Sequence, residues 1–156
     1  MATYDLVLNN IYQPQNIFLL DAIFKIVSPH SERIAKKFYY EMLDNENAAV
    51  FLHYDEVKNR LTASMICWIK AAFVYLDSQK QIEEYRYYQQ KIGQIHKKIG
   101  VPVSLVNYAM YIIKQDICFL LVDSALSRSN LGSALILANQ ILDCSLQIIN
   151  ESYEMS

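Results

Sequence analysis

The chain has 156 residues, a length that a single hydrophobic core can serve, so one domain spanning 1–156 is expected. Apolar and aromatic residues make up 53% and charged residues 19%, a balance that excludes an intrinsically disordered chain. A formal charge of −2 supplies no basic footprint for a phosphate backbone, so nucleic acid is not an expected partner.

Only three glycines and three prolines are present, too few turn signals for the many short strands of a β fold, and the chain reads as all-α. The start, MATYDLVLNNIYQPQ, lacks a basic end followed by an apolar run, so it is not a secretory signal, and 1–13 is expected to be a polar tail. A first helix is predicted from about Pro14 to Val27, with Ile17, Leu20, Phe24 and Val27 inward. Ser28 and Pro29 suit the start of a second helix ending near Leu43. On it Ile34, Phe38 and Met42 form one row and Ala35, Tyr39 and Leu43 the adjacent row, which turns Tyr39 inward.

Asp44 to Asn47 is turn-like and Ala48 to Leu52 a short apolar connector. From about Asp55 to Leu76, Val57, Leu61, Met65, Trp68 and Ala72 recur every three or four residues and predict a long helix. Another is predicted from near Lys80 to Gly100, where a residue without Cβ suits the left-handed conformation that closes a helix. Two more follow, from about Pro102 to Leu126 and from about Asn130 to Glu151. The apolar run from Val101 to Leu126 is broken by Lys114 and Asp116, as in a buried helix rather than a membrane span. Cys67, Cys118 and Cys144 are odd in number, far apart and set in apolar helical patterns, which predicts buried free thiols, a reducing compartment and a cytoplasmic protein.

The segment Lys91 to Pro102, KIGQIHKKIGVP, carries the clearest chemistry. Ile92, Ile95, His96 and Ile99 share one helical face while Gln94, Lys97 and Lys98 take the other, so an imidazole faces the core. A buried neutral imidazole is either hydrogen-bonded core or a metal ligand, and spacing alone leaves both open. His30, in a first turn, and His53, on a connector within reach of a distal site, are expected at the surface. Tyr85, Tyr87 and Tyr88 read as helix packing with wet hydroxyl tips. No Gly-rich phosphate loop, Cys-x-x-Cys pair or Gly-x-Ser-x-Gly turn occurs, so nucleotide, zinc and hydrolase sites lack their usual motifs.

The run IGQIHKKIGVP, downstream of the helix with Leu61 and Trp68 and ahead of a long apolar helix, resembles the proximal segment of globin-coupled sensors. AKKFYYEML resembles that family's distal helix, and AVFLHYDEVKNRLTASMICWI the stretch between, most closely in sensor domains attached to bacterial diguanylate cyclases. The likeness begins at about Ile17 and implies a globin fold holding haem b, with His96 as proximal iron ligand and Tyr39 as the distal donor to oxygen. Tyr40 is the competing register, but it lies about 100° around the helix from Tyr39, off the inward rows. The same register implies Val57 and Leu61 on the distal side with no distal histidine, Phe51 at the porphyrin edge, Ile92 beneath it, and Val106 and Met110 along the proximal wall. Plain core packing is the alternative for each of these apolar residues. Lys97 and Lys98 suit either haem propionates or a solvated helix C-terminus.

Between Leu105 and Val122 apolar residues cover several faces, so part of that surface is expected to meet another chain. The resemblance implies a homodimer whose last two helices, about 103–150, form a four-helix bundle leading into an output domain, expected to be a diguanylate cyclase. On this reading the domain is the regulatory part of an enzyme rather than an enzyme, and it binds oxygen, carbon monoxide and nitric oxide. With the sequence stopping at NESYEMS, an excised sensor is expected over a free-standing one. Two other classes remain: a haem-free globin-like interaction module of a stress-signalling scaffold, and a haem enzyme needing a reductase or a distal acid-base residue.

Overall fold

The computed structural model describes residues 3–155 and their side chains, except the side chains of residues 3, 54, 57 and 58. The described residues form helices joined by turns, with no strand: α1 (Thr3–Ile11), α2 (Ile17–Val27), α3 (Ser31–Asp44), α4 (Glu46–Ala49), α5 (Tyr54–Glu56), α6 (Thr62–Ala72), α7 (Gln79–Lys98), α8 (Val103–Val122) and α9 (Arg128–Glu151). The all-α reading holds, and short 3-10 turns at Pro14–Asn16 and Ser28–His30 stand at the expected proline-containing starts.

The core assembles around α9, which packs on α1, α2, α7 and α8. Its buried residues Ala134, Leu137, Ala138, Ile141, Leu142, Ser145, Ile148 and Ile149 alternate by three and four, and the small ones let neighbouring helices approach. α3 packs on α6 and α8, with Lys37 Nζ 2.7 Å from Asp116 Oδ1 joining α3 to α8. By composition and length α8 and α9 could each cross a membrane; α9 buries a long face in the core, and α8 buries Met110, Ile112, Ile113, Ile117 and Leu121.

Several expectations need correction. Residues 3–11 are not a polar tail: α1 buries Tyr4, Leu8 and Ile11, with Tyr12 buried just beyond, at helical spacing against α9. Cys144 Sγ to the Tyr4 carbonyl, Tyr75 Oη–H to the Tyr12 carbonyl, and Asp5 to Arg86 across 3.3 Å hold it in place. On α2 the buried residues are Leu20, Ile23 and Val27, while Ile17 is exposed and Phe24 only half-buried. The helix expected over 55–76 is interrupted by a π-helical stretch at Val57–Leu61, and it ends at Ala72 because Phe73 turns out of helical conformation to bury its ring. Of the three free thiols only Cys144 is buried; Cys67 is exposed because it sits one residue, and so about 100°, from the buried Trp68.

A buried hydrogen bond joins α6 to α7: Trp68 Nε1–H donates to Gln89 Oε1 at 3.1 Å, and Gln89 is only 2% exposed. Removing one partner strands the other away from water. Trp68→Phe is expected to lower the unfolding free energy by about 1–3 kcal/mol in urea titrations. Trp68→Phe combined with Gln89→Leu is expected to recover part of that loss.

Candidate functional site

Helix α7 ends in a motif that places His96. Gly100 adopts φ of +83°, its N–H bonds the Lys97 carbonyl at 3.0 Å, and the Val101 N–H bonds the His96 carbonyl at 3.0 Å. This is a Schellman closure, in which a Cβ at the left-handed position would be strained and the buried Val101 side chain anchors the turn. The expected role of Gly100 is met.

The His96 ring is half-buried, with Nδ1 2.7 Å from the Ile92 carbonyl. A carbonyl oxygen only accepts, so Nδ1 carries the proton and Nε2 presents a lone pair, unbonded among the described residues. Burial lowers the imidazole pKa, opposed in part by the Ile92 bond, and the ring is neutral at neutral pH. Ile95 and Ile99, expected to share a core-facing side with His96, are instead 58% and 54% exposed, so this part of the helix shows bare apolar surface.

Tyr39 on α3 is buried, whereas Tyr40 is 77% exposed, as the helical rows require. Its ring meets Phe38 edge-on at 4.9 Å, and its hydroxyl makes no hydrogen bond among the described residues. Burial pushes the phenol up to about 12, with the Arg60 charge acting the other way. The helices carrying Tyr39 and His96 are not packed broadly on one another: α3 rests on α6 and α8, α7 on α9.

Among the other candidates, Met110 is buried in the core on α8, and Leu61 and Ile92 are half-buried and packed against that core. Phe51, in the turn after α4, and Val106, on α8, are half-buried without joining it. Val57 falls on a side chain outside the described residues. His30 and His53 are exposed, and Lys97 is tied to the Met155 carbonyl at 2.9 Å.

A sequence profile described as Protoglobin matches residues 14–156. The chain belongs to the protoglobin family. Curated relatives of this protoglobin include the diguanylate cyclase DosC of Escherichia coli strain K12 and that of Shigella flexneri serotype 5b, each 20% identical over 133 residues. The match covers 85% of this chain but 28% and 34% of those proteins, so the protoglobin spans about a third of their length. Its fold is similar to the globin domain of a Geobacter sulfurreducens globin-coupled sensor, at TM-score 0.85 and 25% identity over 98% of this chain and 99% of that one. The ferric globin domain of E. coli DosC superimposes at TM-score 0.84 with 17% identity, over 95% and 97% of the two chains. The globin fold expected from the sequence is therefore the fold observed.

The donor set of the protoglobin fits a haem. Among the described residues no three His, Cys, Asp or Glu side chains gather to cage a bare ion. A single neutral imidazole flanked by bare isoleucines suits a metal that arrives within a flat apolar macrocycle. Two neighbours escaped the sequence reading: Arg60, whose charge acts on Tyr39, and Gly93 on the His96 helix. Gly93 carried a signal, since a glycine inside a helix is unfavourable unless another backbone approaches closely.

Because the folded Tyr39 phenol titrates above its ordinary value of about 10, the unfolded chain loses that proton first. Its stabilising contribution is complete below pH of about 10 and is lost as pH rises toward about 12. In urea unfolding of the haem-free protein across this window, Tyr39→Phe is expected to lose less stability than the wild type.

Proposed function

We propose that this globin domain is a haem-based oxygen sensor in which His96 Nε2 holds the iron of a haem b and Tyr39 serves the opposite, ligand-binding side. The observation that carries the reading is the His96 imidazole, fixed at Nδ1 by the Ile92 carbonyl and free at Nε2. A bound haem would supply an iron able to take a diatomic gas, oxygen, carbon monoxide or nitric oxide.

The Nδ1–H bond to Ile92 fixes the ring tautomer and raises its strength as a donor. Tyr39 keeps its proton at neutral pH and has no competing partner among the described residues, so its O–H is available to donate. Oxygen draws negative charge on binding and carbon monoxide little, so a donor in a dry pocket favours oxygen. Leu61 would exclude water on the Tyr39 side, while Phe51, Ile92, Val106 and Met110 would supply apolar walls.

The sensing role extends to a homodimer. Tyr108, Tyr111, Phe119 and Val122 on α8 and Ile136 on α9 are large, apolar and exposed, and a second copy meeting residues 103–150 would cover them. The output is a diguanylate cyclase, the activity named for curated relatives of which this chain matches about a third. The site of action is the cytoplasm, with neither membrane nor nucleic acid as a partner. Ligand state at His96 and Tyr39 then biases two arrangements of the helices, by no more than its differential affinity for them.

Purified protein titrated with haem is expected to show a haem absorption band that shifts with oxygen and with carbon monoxide, and His96→Ala is expected to abolish the five-coordinate ferrous spectrum. Tyr39→Phe is expected to speed oxygen dissociation about tenfold or more in stopped flow while leaving carbon monoxide binding within about threefold. An unchanged oxygen off-rate would remove Tyr39 from the site. Absence of any chromophore would favour the haem-free interaction module.

A further inference from the structure

Three contacts join the end of α7 to the residues that follow α9. Gly93, three residues before His96, lies so close to the last turn of α9 that a Cβ there would run into Ser152 Oγ and the Ile149 carbonyl. Lys97 Nζ–H, one residue after His96, donates to the Met155 carbonyl at 2.9 Å. Tyr153 Oη–H donates to the Val101 carbonyl at 3.0 Å, and the N–H of that same Val101 donates to the carbonyl of His96. The backbone of His96 is thus two hydrogen bonds from the hydroxyl of Tyr153.

On the receiving side, Ser152–Glu154 is a single 3-10 turn, pinned by Ser152 Oγ–H to the Ile149 carbonyl at 2.5 Å and with Ser152 only 1% exposed. One such turn has little stability of its own, so its placement depends on what it packs against. A closely packed interior transmits a shift rather than absorbing it, and at Gly93 not even a methyl group separates the helix from its neighbour.

We propose that the turn Ser152–Met155 reads the position of the His96 helix directly, through Gly93, Lys97 and Val101, and is where a displacement of His96 leaves the domain within one chain. The inference rests on the haem-sensing function proposed above and adds to it an exit separate from the exposed faces of α8 and α9. Ser152 and Tyr153 act as positioning residues for His96, and by reciprocity the ligand at His96 alters the order of the turn.

The test uses the haem-loaded ferrous protein, wild type and the double variant Lys97→Met/Tyr153→Phe, which removes two hydrogen bonds without adding bulk to the helix contact. Amide hydrogen exchange over residues 149–155 is compared without and with carbon monoxide, and the iron–histidine stretch is read by resonance Raman in the ligand-free state. In the wild type carbon monoxide is expected to change exchange at 149–155 by about threefold or more, and the double variant to lose that response and shift the stretch. Lys114→Met, which removes the ion pair of Lys114 with Asp143 on the α8–α9 contact, is the control expected to keep both signals. A wild-type protein whose exchange at 149–155 ignores carbon monoxide, or a double variant that keeps both the response and the stretch, overturns the relay alone. Failure of the wild type to take up haem, or a wild-type spectrum in His96→Ala, overturns the proposed function and the relay together.

Discussion

The chemistry proposed for this fold depends on one short bond, His96 Nδ1–H to the carbonyl of Ile92. It settles which nitrogen bears the proton, holds the ring, and leaves the Nε2 lone pair unpartnered among the described residues. Burial reinforces it by disfavouring the imidazolium form that would occupy the lone pair. The Schellman closure at Gly100 stabilises the last turn from the other side, so both carbonyls that flank the ring along α7 are engaged.

The two polar side chains proposed to face the haem are prepared by similar means. Burial favours the neutral form of each, lowering the pKa of His96 and raising that of Tyr39, so one presents a lone pair and the other an O–H. They sit on helices fixed by different neighbours, α3 by α6 and α8, α7 by α9. A site divided between separately anchored helices can change its span without unfolding either, a property a ligand-responsive domain needs.

α9 is the common floor. It receives α7 along the Tyr85–Ser145 hydrogen bond and the Gly93 contact, and it receives α1 through Cys144 and the carbonyl of Tyr4. Packing that one helix against so many others explains why its buried face is long and why small residues recur on it.

How much of this was legible beforehand follows from the range of each interaction. Helix type, the inward face of α3 that selects Tyr39 over Tyr40 and the glycine closure of α7 all depend on residues within a few positions, and periodicity and capping chemistry report those directly. The motif order that marks the protoglobin family is likewise written along the chain. Tertiary structure alone decided that residues 3–11 form a docked helix and that Ile23 rather than Ile17 faces inward on α2. It also decided that Gly93 meets Ser152 and that Val101 meets Tyr153. Those outcomes depend on which surface of a distant helix arrives opposite, and one chain's local pattern carries the shape of its own face but not that of its partner.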